Sequence, residues 1–135
     1  RMSIHVAIHD GPLGAAEPWP VRGAGAVLCF EGVVRPLEDA QPIAGLTYDI
    51  YDPMAEQELS RLAGQAMEQF GLLAVHVEHS RGFVANFACS FRLRIASAHR
   101  KEALAAMDWF IDRMKQQAPI WKRSVTLEQA TEATP

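Results

Sequence analysis

The chain has 135 residues, of which 49% are hydrophobic and 21% charged, and its net charge is −3. That length and balance fit one folded domain with a sizeable core and exclude a disordered chain. No apolar run approaches the ~20 residues that cross a bilayer, and no basic stretch followed by an apolar one marks a secretory leader, so a cytoplasmic protein is expected.

Arg1 ahead of Met2 reads as a remnant before the natural start, and the whole of 1–135 reads as a single domain with a polar tail from 124. Cys29 and Cys89 both sit in apolar, strand-like runs, which predicts buried free thiols rather than a metal or redox motif. The charge is unevenly spread. Residues 1–80 hold four basic and eleven acidic groups, whereas residues 81–123 hold nine basic and three acidic ones. Most of these arginines fit a solvated surface, yet cations gathered in one segment of a net-acidic chain also suit an anionic ligand. The acidic total and the absence of an aromatic-rich basic motif argue against general nucleic-acid binding.

Residues 3–9 alternate and predict a strand, and the Gly- and Pro-rich stretch 10–24 predicts a loop. The run from Ala26 to Phe30 suits a buried strand that ends through Gly32 and Pro36. Leu46 to Tyr51 alternates again. Pro53 suits the first turn of a helix that carries Leu59, Leu62, Ala63, Ala66 and Phe70 on one face and stops at Gly71. Leu73, Val75 and Val77 restore period two, and Arg81-Gly82 marks a turn. In the next strand Phe91, Leu93 and Ile95 face one way while Arg92 and Arg94 face the other. Ser97 is placed to cap a second helix with the stripe Ala103, Leu104, Met107, Ile111 and Met114, ended by Pro119. The tail from Ser124 is polar and expected to fray. The order β-β-β-α-β-β-α predicts an α+β sandwich with the helices on one face of the sheet.

Candidate chemistry concentrates between Ser97 and Arg123. Where strand meets helix at Ser97-Ala98-His99-Arg100, unpaired N–H groups and two side-chain donors could bind an anion; a cap followed by a solvated arginine fits equally. Lys115 borders the buried stripe at the helix end, where the dipole alone would favour a cation. Pro119 and Trp121 should form a stiff, partly buried segment that fixes the direction of Lys122. Lys115 and Lys122 could then face one pocket, one as nucleophile or proton donor and the other as a charge clamp; the bland alternative is an exposed basic turn. Arg35, beyond a glycine bend, stands either at a strand mouth or simply in solvent. His5 and His9 share a strand face without a third ligand, and His76 and His79 fall on opposite faces, so no metal site is expected.

Four blocks in order resemble the large, catalytic subunit of molybdopterin synthase: Phe30-Glu31-Gly32-Val33-Val34-Arg35, Tyr51-Asp52-Pro53-Met54-Ala55-Glu56, Ser97-Ala98-His99-Arg100, and Lys115 with Pro119-Ile120-Trp121-Lys122. The resemblance covers roughly residues 24–123. It implies an α/β hammerhead with an added β-subdomain. It also implies a sulfurtransferase that makes the dithiolene of molybdopterin from cyclic pyranopterin monophosphate. The sulfur would come from the C-terminal Gly-Gly thiocarboxylate of a small ubiquitin-like subunit. A central homodimer with one small subunit at each end, a heterotetramer, is implied; no cofactor, nucleic acid or membrane is. By the same resemblance Lys115 and Lys122 are the catalytic lysines. Val33, Val34, Arg35, His99, Arg100, Lys122, Arg123 and Ser124 are substrate-binding residues. The chain departs from the family pattern at Phe87-Ala88, where Gly-Asp is usual, at Ile50 for histidine, at Ser124 for glutamate, and in its short tail. A non-catalytic relative that binds a ubiquitin-like tail or a phosphate ligand is the alternative.

Overall fold

The structure, a computed structural model, describes residues 3–133; the remnant expected at Arg1 and Met2 lies outside them. In chain order the elements are β1 (Ile4–Asp10), β2 (Ala26–Val33), β3 (Leu37–Glu38), β4 (Gln41–Ile50), α1 (Met54–Phe70), β5 (Ala74–Ala85), β6 (Cys89–Ser97), α2 (Arg100–Gln117), β7 (Ile120–Thr126) and α3 (Leu127–Ala133). Among the described residues no helix is long and apolar enough to cross a membrane.

The strands form one mainly antiparallel sheet, and α1 and α2 pack against each other and against β1, β2, β5 and β6, giving the expected α+β architecture. The first half of β5 is central. It pairs with β1 in parallel and with β6 antiparallel, so Val75 and Val77 are covered on both sides and lie fully inside. The second half of β5 pairs instead with β4, from Gly45↔Ala85 to Tyr48↔Gly82, and β4 in turn takes β7 on its far edge. Gly45 is required at this crossing: a Cβ there would run into the Val84 carbonyl and the Phe83 ring. The result is two cores. The larger lies between the helices and the β1/β2/β5/β6 sheet and contains Leu59, Leu62, Val75, Val77, Leu93, Ile95 and Phe110. The smaller gathers Val34, Ile43, Leu46 and Val84 beneath β4, with Tyr48 packed against it.

Helix α1 forms as its apolar spacing predicts, with Leu59, Leu62, Ala63 and Ala66 buried. Gly71 ends it at φ 64° and donates its N–H to the Met67 carbonyl, a left-handed cap that glycine adopts without steric cost. Pro53 is the residue before the helix rather than part of its first turn. Helix α2 departs further. Ser97 is not its cap but the fully buried last residue of β6, and its hydroxyl donates to the His99 carbonyl; His99 holds the cap position without a side-chain bond. The stripe turns toward Ala103, Ala106, Phe110 and Met114, while Leu104 is exposed. Met107 and Ile111 of the expected stripe still pack against the edge of that core.

The tail is ordered. Beyond Pro119 the chain pairs with the open edge of β4, so Ser124 lies in a strand opposite Leu46 rather than in a frayed end. The strand then gives way to α3 through a reciprocal capping box: Thr126 Oγ accepts from the Gln129 N–H at 3.0 Å, and Gln129 Oε1 accepts from the Thr126 N–H at 2.9 Å. Trp121 is 54% exposed, its ring tilted against that of Tyr51 with centroids 5.1 Å apart, and so is less buried than expected. Cys29 is exposed, on the side of β2 that alternates away from the helices, and Cys89, at the start of β6, is half-buried.

Arg92 and Arg94 face away from the helices, as the alternation requires, but they are buried rather than solvated, at 3% and 6% exposure. The segment from Gly11 to Ala24 lies over them. Arg92 pairs with Glu31 at 2.7 Å and Glu78 at 3.0 Å and donates to the Gly14 carbonyl. Arg94 donates to the Glu17 carbonyl at 2.6 Å and to His76 Nδ1, with Trp19 stacked against its guanidinium at 5.4 Å. Burial, with Arg94 beside it, pushes the His76 imidazole down to about 4.

Two outcomes follow from this packing. His76 stays neutral in the folded chain down to about pH 4, whereas an unfolded histidine takes up its proton near pH 6.5. Stability therefore falls as pH drops through that window, since only the unfolded state gains the proton. Urea denaturation between pH 7 and pH 4 should show this slope, and His76→Gln, which keeps an acceptor for Arg94 but does not titrate, should flatten it. Phe87 sits at φ 72° with its ring 75% exposed, so the strained backbone gains little packing in return. Phe87→Gly should raise stability by roughly 0.5–1 kcal/mol in the same assay.

Candidate active site

A cavity of about 610 Å³ opens where β2, β4, the end of α2 and the start of β7 converge. Four features of the sequence build it. The β2 strand ends at a bulge between Gly32 and Val33, which turns Val34 into the small core and leaves Val33 and Arg35 outside. The last turn of α2 delivers Met114 to the interior and Lys115 beside it to the opening. Ala118 takes an extended backbone and Pro119 redirects the chain, so Ile120 starts β7 opposite Ile50. Lys122 then stands directly across from Tyr48 in the β4–β7 ladder, on the same cavity.

Lys115 and Lys122 therefore line one cavity, together with Val33, Val34 and Arg35. The remaining expected residues are placed elsewhere. His99 and Arg100 open the far end of α2; fifteen residues of helix, about 22 Å at 1.5 Å each, separate Arg100 from Lys115. The His99 side chain is 83% exposed, its Nδ1 lying 3.5 Å from Glu102. Arg123 alternates to the other side of β7 and pairs with Asp49 at 2.9 Å, and Ser124 stands one ladder step beyond the cavity lining. Within one chain these four residues do not join the lysines.

The lining also contains polar groups that the sequence did not single out. Glu38, on the short β3–β4 hairpin, places Oε2 3.8 Å from Lys122 Nζ. Tyr48, Ser90 and His79 come from three different strands. Tyr48 Oη and Ser90 Oγ are 2.9 Å apart, and the Tyr48 ring meets the edge of His79 at a centroid distance of 5.0 Å. Burial pushes the Tyr48 phenol up and the His79 imidazole down, so both are uncharged near neutral pH. Tyr48 was legible as one face of an alternating strand. Nothing in the spacing of His79 or Ser90 marks them, because they meet Tyr48 only through the β4–β5–β6 pairing.

The cavity thus has three cationic side chains, Arg35, Lys115 and Lys122, against one carboxylate, Glu38, and neither Arg35 nor Lys115 has an ion-pair partner among the described residues. An anion entering it meets positive potential in a partly desolvated space, the arrangement that stabilises developing negative charge. Among the described residues no group of three or more His, Cys, Asp or Glu could hold a metal ion. Glu38 competes with any anionic ligand for Lys122. Glu38→Gln should therefore tighten pyrophosphate binding about threefold to fivefold at low salt, and calorimetric titration at 0.5 M salt should show the difference shrinking.

The sequence profile of the MoaE protein family matches residues 12–117. The molybdopterin synthase catalytic subunit of Thermoplasma volcanium is 36% identical over 76% of this chain and 74% of its own length. The human molybdopterin synthase catalytic subunit is 31% identical over 79% of this chain but only 57% of its own length. Among solved structures, molybdopterin synthase from Staphylococcus aureus superposes with a TM-score of 0.78 at 27% identity, covering 88% of this chain and 89% of that one. A complex of subunits 1 and 2 of the molybdopterin-converting factor from Helicobacter pylori superposes at 0.70 with 26% identity, covering 92% and 90%. A matched profile over most of the chain, relatives above 30% identity and the shared architecture agree: the chain belongs to the MoaE protein family.

Proposed function

We propose that this chain is the catalytic subunit of a molybdopterin synthase. It would transfer two sulfurs to cyclic pyranopterin monophosphate, one from each of two thiocarboxylated C-terminal tails of a small ubiquitin-like subunit that leave as carboxylates, forming the dithiolene as the cyclic phosphate opens. The observation that carries this reading is the convergence of Lys115, Lys122 and Arg35 on one cavity from the end of α2, the strand after it and a bend eighty residues earlier. Both ligands are anionic where they react, and both need cations held in a confined space. Lys115 is the candidate for covalent or proton-transfer chemistry, and Lys122, tethered by Glu38, is the charge clamp. The small-subunit partner is supported by the two-subunit complex of the Helicobacter pylori protein.

His99 and Arg100 fit this reading only in a homodimer. They lie about one helix length from the lysines, so they would serve the cavity of a second copy rather than their own. A second reading, a non-catalytic relative that binds the tail or a phosphate without turnover, draws on Phe87. This exposed ring sits in a turn stitched to Val34 of the cavity wall, where the family pattern has Gly-Asp.

Reconstitution with a thiocarboxylated small subunit and the pterin substrate tests both. Lys115→Ala should lower dithiolene formation at least a hundredfold while partner binding persists. Mixing Lys115→Ala with Arg100→Ala chains should restore part of the activity through hybrid dimers. Partner binding with no product from the unmodified chain would favour the non-catalytic reading.

A further inference from the structure

The cavity is chemically two-sided. Its exposed rim carries Arg35, Lys115 and Lys122, whereas its inner wall carries the half-buried Tyr48 and the buried Ser90 and His79. The hydrogen-bond directions in that wall can be worked out. Either hydroxyl can donate in the 2.9 Å Tyr48–Ser90 bond; when Ser90 turns its one proton to the Gly32 carbonyl, 3.5 Å away, Tyr48 is the donor. In that arrangement the phenol proton is used, and the phenol oxygen keeps free lone pairs. His79 Nδ1 lies 2.8 Å from the Ser80 carbonyl and must carry the proton there. Burial disfavours the charged ring, and with Nδ1 donating to Ser80 the neutral ring presents Nε2 as an acceptor with no hydrogen-bond partner among the described residues. His79 lines the cavity, so a ligand N–H there is a donor this nitrogen can accept from.

We propose that Tyr48, oriented by Ser90, and His79 form an acceptor floor that reads the N–H edge of a planar, pterin-type heterocycle, so that the ring enters first and the phosphate stays at the lysine rim. This rests on the function proposed above and adds which end of the substrate goes where. Phe91 and Leu46 flank the floor with apolar surface suited to a flat ring. The cationic rim alone would accept any phosphate; the floor supplies the discrimination, because a ring lacking N–H donors would leave both acceptors unpaired. Tyr48 and His79 are recognition groups here, and Ser90 is a positioning residue.

Tyr48→Phe keeps the ring and removes the hydroxyl. Fluorescence titration of the full chain with neopterin, a pterin without phosphate, should show binding weakened about tenfold, with binding of inorganic phosphate within twofold of the unmodified chain and the thermal midpoint little changed. In the reconstituted reaction the same variant should raise KM for the pterin substrate about tenfold and leave kcat within about threefold. Ser90→Ala should weaken neopterin by a smaller factor, about threefold, and serves if Tyr48→Phe does not fold. Neopterin binding that is unchanged in both variants, or absent in the unmodified chain, overturns the acceptor floor. Weakened neopterin binding in a chain that makes no dithiolene product supports the floor and overturns the sulfur-transfer reading, so the two failures are distinguishable.

Discussion

The cavity depends on one strand pairing. When β7 adds to the open edge of β4, it sets Ile120 against Ile50, Lys122 against Tyr48 and Ser124 against Leu46. That register decides which β7 side chains meet the cavity, because a slip of one residue would turn Lys122 out and Arg123 in. It is held from both ends. Pro119 accepts from the Tyr51 N–H at 3.2 Å where the strand begins, and the Thr126–Gln129 capping box stops it where α3 begins. The Arg123–Asp49 pair crosses the same two strands on the other side. Lys122 is thus positioned by backbone pairing rather than by the stiffness of its neighbours, and Trp121 is free to remain half in solvent.

Part of the charge asymmetry of the sequence is met by pairing between the two halves of the chain. Arg81 pairs with Asp10 and Asp52, Arg92 with Glu31 and Glu78, and Arg123 with Asp49. Every acid in these pairs comes from the first eighty residues and every base from the segment after them. These three arginines therefore serve the fold, as does Arg94 through the Glu17 carbonyl and His76. In the case of Arg92 this is a buried network in which losing one partner would leave an uncompensated charge. Among the cations with no acid beside them, Lys115 and Arg35 face the cavity.

This division also marks what could be read in advance. The periodicity of α1 and the alternation of Leu46, Tyr48 and Ile50 are local patterns, and the structure follows them. The lysine pair was legible because both residues flank one helix end. The burial of Arg92 and Arg94 was not, since it is caused by a Gly- and Pro-rich segment seventy to eighty residues away that has no periodicity to predict its path. The β7 strand was hidden by its polarity, which suits an edge strand but also suits a frayed tail, although Thr126 and Gln129 at capping-box spacing were a signal available in the sequence. His79 and Ser90 are a harder case: their neighbours are set by the register of three strands, and no local feature distinguishes them from core residues.

The two ends of α2 differ in a way that separates fold from function. Lys115, in the last turn, lies where the helix dipole favours a cation, so its presence there needs no ligand to account for it. At the other end the dipole is positive and favours acids; Glu102 in the first turn meets that preference, while Arg100 opposes it. Arg100 is exposed, and no ion pair to a described acid offsets the repulsion. A cation kept at a helix N-terminus without a local partner adds its charge to the unpaired N–H groups already present, and the sum suits an anion better than it suits the helix. That cost is small at an exposed position, but its sign is opposite to what stability alone would select. In the homodimer proposed above, this end of α2 would face the cavity of a second copy, where an anionic ligand would offset that charge.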